Sequence, residues 1–134
     1  MRKIRLCIGS NDGENIAKSH LGDTNCFYIY DLFENSANTL IEKRINIAKD
    51  MGHGKTDKMG VILKLLEDTD VFVAQQKSPN FLRVATETKY QPIVVKVEKI
   101  SDILSVLNKS FQEIYDLVTK RKNGECFNTI PELQ

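Results

Sequence analysis

The chain contains two histidines, His20 and His53, and each stands beside glycine, in "SHLGD" (19–23) and "MGHGK" (51–55). Neutral imidazole is a ligand for iron and related transition metals, and glycine lets backbone approach a bulky ligand closely. Cys26, at the head of "CFYIYDLF", adds a softer thiolate donor. These three side chains suit a metal centre with open coordination positions. Each also has a plainer reading: a histidine in a solvated loop, or a cysteine acting as a small buried hydrophobe at a strand end. Cys7, inside an alternating apolar run, reads as structural, and Cys126 as an isolated thiol.

The stretch "DMGHGKTDK" (50–58) also contains the end of a phosphate-binding loop, Gly54-Lys55-Thr56. The full motif needs a glycine five residues before Gly54, where Lys49 stands, and a buried apolar strand in front of it. "EKRINIAKD" is half charged, and "DVFVAQQ" ends without a carboxylate to hold magnesium, so the nucleotide reading fails. Two-metal nuclease chemistry fails similarly, because the first strand offers no carboxylate before Asp12. No nucleophile, base and orienting group can be assembled, and the expectation is a protein that is not an enzyme.

Composition narrows the partners. Across 134 residues, 19 Lys and Arg face 18 Asp and Glu, a net charge of +1, so no long-range field draws the protein to nucleic acid or anionic lipid. "KRK" (120–122) is explained by the favourable placement of cations at a helix C-terminus. No apolar run approaches the roughly 20 residues of a membrane span. Three widely spaced cysteines without a C-x-x-C fit a cytoplasmic location and exclude a self-contained zinc ribbon.

Periodicity supplies the frame. Strands are predicted over 3–9, 26–33 and 39–48, with the last two forming a hairpin across "ENSAN". A helix follows from about Asp57 to Glu67, then a strand at 70–75, a helix begun by Ser78-Pro79, a strand at 91–97, and one long amphipathic helix capped by Ser101. The order β-β-β-α-β-α-β-α indicates an α/β domain of three layers with a mixed five-stranded sheet over 1–122, followed by a tail, 123–134. Ligands of open α/β sheets bind at the carboxyl ends of the parallel strands. "SNDG", "SHLGD", "DMGHGK" and "AQQKSPN" should all meet at that edge, which brings both histidines to one rim.

With these elements placed, "SNDGENIAKSHLGDTNCFYIYDL" resembles the opening of the dinitrogenase iron–molybdenum cofactor biosynthesis family, the nitrogenase accessory factor-like proteins. His20-Leu21-Gly22 is similar to the family's H-F-G motif, Phe27 to Asp31 to its F-x-I-Y-D strand, and Gly52-His53-Gly54 to its glycine–histidine loop. The resemblance implies an RNase H-like three-layer α/β/α fold without nuclease chemistry. It implies carriage of an iron–sulfur or iron–molybdenum type cluster, with a cluster donor or acceptor protein as partner and homodimerisation as an assembly open to it. The matching positions are Asp12, Gly13, His20, Gly22, Gly52, His53 and Gly54 for the cofactor, with His20, His53 and Cys26 as candidate metal ligands. The chain departs from the pattern after the fourth strand, where "AQQKSPN" replaces a glycine-rich turn. That departure sustains an alternative: a regulatory or protein-interaction module that keeps the fold without binding a cluster.

Overall fold

The computed structural model describes residues 1–51 and 56–134. β1 (Lys3–Ser10) alternates as its sequence predicts, sending Ile4, Leu6 and Ile8 into one core and Cys7 into the other. β2 (Cys26–Phe33) pairs antiparallel with β1, and β3 (Asn38–Ile45) antiparallel with β2, so β3 runs parallel to β1. β4 (Val71–Ala74) and β5 (Gln91–Val95) continue the sheet in parallel, the short apolar runs being buried on both faces.

One helix pair covers each face. α1 (Thr56–Leu65) and α2 (Pro79–Glu87) share a core with Phe27, Ile29, Phe72 and Val94. α3 (Ile100–Lys109) and α4 (Phe111–Lys122) share the other with Ile8, Leu32, Val73 and Ile93. Ser78 caps α2 as expected, its hydroxyl accepting the Phe81 amide at 3.1 Å, with Pro79 in the first helical position. β3 is the exposed edge: Leu40, Ile41 and Ile45 lie open to solvent.

Three expectations need correction. The sheet has six strands, not five, in the order β3-β2-β1-β4-β5-β6. The added strand, β6 (Glu132–Leu133), lies in the predicted tail and pairs parallel with Val94 and Val95 of β5. The single long helix is two, broken at Ser110. Leu107, Phe111 and Ile114 keep helical spacing across the break, so the apolar stripe gives no sign of it. Ser101 is not the cap of α3. The helix starts after Lys99, and the Ile100 amide is met by the Glu14 carbonyl at 2.9 Å, a partner from a distant loop.

The C-terminal residues are held by Arg121, which is 2 % exposed. Its guanidinium donates to Gln91 Oε1 at 2.7 Å and to the carbonyls of Ala85, Thr88 and Phe127 at 2.7, 3.2 and 3.2 Å. It also lies 4.1 Å from the centre of the Phe127 ring. Among the described residues no carboxylate pairs with it, and burial lowers its pKa. Replacing Arg121 with Ala strands several buried acceptors at about 1–3 kcal/mol each. Urea unfolding should show a loss of about 3 kcal/mol, and Arg121→Lys should not restore it, because a point charge cannot span four acceptors.

On the opposite side, Arg44 of β3 reaches Asp68 with two bonds of 2.7 and 2.8 Å and the Leu65 carbonyl at 2.7 Å, tying the edge strand to the end of α1. Hydrogen bonding from Arg44 holds the Asp68 carboxyl down at about 2. A depressed carboxylate stabilises fully above its unfolded value of roughly 4 and loses that contribution as pH falls through its folded value. Stability should therefore fall between about pH 4 and pH 2, and by less in Asp68→Asn; urea midpoints across that range measure it.

Candidate functional site

The rim forms as the topology requires. Ser10 at the end of β1 pairs with Cys26 at the start of β2, which pairs with Ile45 at the end of β3. The Gln76 amide, just past β4, donates to the Lys18 carbonyl at 3.3 Å, two residues before His20. Beside this rim a cleft of about 200 Å³ opens between α1, α2 and the turn at 20–23.

His20 is exposed at the cleft, in extended backbone immediately before a single 3-10 turn, Leu21–Asp23. Its carbonyl accepts the Asp23 amide at 2.9 Å, closing the turn. Asn46, at the exit of β3, then fastens this turn from below, donating to the carbonyls of Gly22 and Thr24 at 3.0 and 2.9 Å. Gly22 permits a close approach: a Cβ there would lie 3.0 Å from Ile62 Cδ1 of α1. Lys58 of α1 completes the attachment, its ammonium 2.7 Å from an Asp23 carboxylate oxygen, with a side chain only 9 % exposed.

Asp12 and Gly13 stand apart from this cleft. The Asp12 carboxylate accepts the amides of Glu14 and Asn15, both at 2.9 Å, and these bonds hold its pKa down at about 2. Gly13 has φ +80°, and a Cβ would come 2.9 Å from the Tyr28 hydroxyl. The segment beyond runs beside the start of α3, where Ile16 donates to the Glu98 carbonyl at 2.8 Å. Both residues thus build the turn that leads the chain away from β1, on the α3 side.

Cys26 also faces away. Strand side chains alternate, and Phe27 and Ile29 enter the core beneath α1 and α2. Cys26 therefore shares its face with Tyr28, Tyr30 and Leu32, on the side of α3 and α4, and does not line the cleft. Gly52, His53 and Gly54 lie outside the described residues. Among the described residues no group of three or more His, Cys, Asp or Glu is placed to hold a metal ion.

The cleft instead gathers residues that the sequence did not single out as ligands. Lys58, Asp23 and Arg83 bring charge; Ser78 and Asn80 bring polar groups; Ile62, Phe72, Phe81 and Val84 are apolar. The "AQQKSPN" segment is what delivers α2 to this place. Gln75 and Gln76 use side-chain amides to grip the carbonyls of Val97 and Lys18, at 3.0 and 3.3 Å.

Gly13→Ala should lower stability by about 1–3 kcal/mol, the cost of a strained left-handed residue, and shift the NMR signals of Tyr28. The Glu14 and Asn15 amide signals should move as pH falls through about 2, where Asp12 releases them.

The match with known proteins agrees with this frame. A family model described as dinitrogenase iron-molybdenum cofactor matches residues 2–110, which run from β1 through α3 and end at the helix break. No curated protein matches the chain at a significant level. The match spans most of the sequence, including the rim and the cleft, and the chain belongs to the dinitrogenase iron–molybdenum cofactor family.

Proposed function

We propose that this protein binds and carries an iron–molybdenum or iron–sulfur type cluster, or its precursor, without catalysing a reaction, in an RNase H-like three-layer frame. The observation that carries the reading is His20, an exposed imidazole on a turn pinned by Asn46 and Lys58 at the mouth of the cleft, in a chain of this family. A cluster here is cargo. A single exposed imidazole beside a pinned turn and a cleft of about 200 Å³ suit a ligand held at the mouth and handed on, with donor or acceptor proteins supplying other ligands. His53 is the other imidazole of the chain and the proposed second ligand.

Anaerobic titration of the full chain with isolated iron–molybdenum cofactor or a [4Fe–4S] donor, followed by visible absorption and metal analysis, tests this. His20→Ala should weaken binding at least about tenfold, the scale on which losing a metal-site interaction acts. His53→Ala should weaken it too, whereas Cys26→Ser should leave it unchanged. Equal binding by wild type and His20→Ala would overturn the assignment. Absence of any cluster binding would favour the interaction-module reading, which the exposed apolar residues Leu40, Ile41 and Ile45 of β3 support.

A further inference from the structure

The cleft that His20 lines also contains two cations, Lys58 of α1 and Arg83 of α2, against one carboxylate, Asp23. Removing an ammonium from water is costly, so a lysine buried to this depth is well placed to read charge. Asp23 takes one of its three N–H donors, at 2.7 Å. Arg83 is different: its side chain is 59 % exposed and its Nε donates to Glu87 at 2.9 Å along the helix. A guanidinium carries four further N–H bonds, in a fork suited to carboxylate. Ser78 and Asn80 bring the head of α2 into the same lining, and its first turn has no acidic residue, so its dipole favours an anion there.

The rest of the lining has the opposite character. Ile62, Phe72, Phe81 and Val84 give the cleft an apolar wall. A volume of about 200 Å³ lies below the roughly 300–1,000 Å³ of sites for drug-sized molecules, which limits the buried part to a single ring or a branched alkyl group. Hydrocarbon beside cationic groups with N–H donors to spare selects a ligand with both parts.

We propose that this cleft binds a small organic anion, a single-ring or branched-chain carboxylate, with its charged end on Lys58 and Arg83 and its hydrocarbon against Phe72 and Phe81. The site shares the cleft with the cluster reading but needs no metal. Benzoate and its neutral counterpart benzamide, titrated into the metal-free full chain and followed by amide chemical shifts, make the test. Benzoate should bind saturably and shift the amides of Lys58, Phe81 and Arg83. Benzamide should bind at least about tenfold more weakly, and Arg83→Gln and Lys58→Met should each weaken benzoate about tenfold, the usual scale of a hydrogen bond to a charged group. Equal affinity for the two probes, no saturable binding of benzoate, or unchanged benzoate affinity in Arg83→Gln would each overturn the proposal. Should Lys58→Met not fold, the exposed Arg83 position decides alone. No metal is present in this experiment, so its failure is separate from a failure of the cluster titration.

Discussion

Burial of the central strands on both faces is the constraint from which the rest follows. β1, β4 and β5 lie between two helix pairs, and their backbone polar groups are satisfied within the sheet. No ligand can reach the middle of such a layer. Variation in chemistry is therefore confined to the strand ends, and the ends of β1, β3 and β4 with the start of β2 make one rim. Polar side chains then do locally what the sheet cannot. Asn46, Lys58 and Gln76 each reach from one rim segment to another and fix the height and angle of the turn that follows His20.

Most of this frame is legible in the sequence, because strong periods survive tertiary packing. The alternation of Ile4, Leu6 and Ile8, the unbroken "VFVA", and Ser78-Pro79 before "NFLRV" each specify an element from local pattern alone. The misses share a cause, which is that their determinants are distant in sequence. β6 is only two residues long, directly after Pro131, too short for a pattern, and exists because β5 presents an open edge. The start of α3 is satisfied by Glu14, far back in the chain.

The site was less legible than the fold. Placing the 20–23 turn at the rim followed from topology, but Lys58 read only as the end of a glycine stretch, and its ion pair with Asp23 spans two elements. Cys26 was open to a better reading. Since strand side chains alternate, the apolar Phe27 and Ile29 beneath α1 and α2 put Cys26 on the reverse face. The "AQQKSPN" departure from the family pattern has a physical meaning as well. Where a glycine-rich turn would offer bare backbone, this chain uses amide side chains as struts and brings a capped helix to the cleft.

The setting of Arg121 has a consequence for how the molecule comes apart. A cation held by carbonyl oxygens offers dissolved ions no partner to mask, and acid no partner to neutralise. The Arg44–Asp68 tie at the other margin of the sheet is vulnerable to both. In acid or brine the two margins should separate in behaviour, with fraying that begins at β3 while the β5–β6 end stays closed.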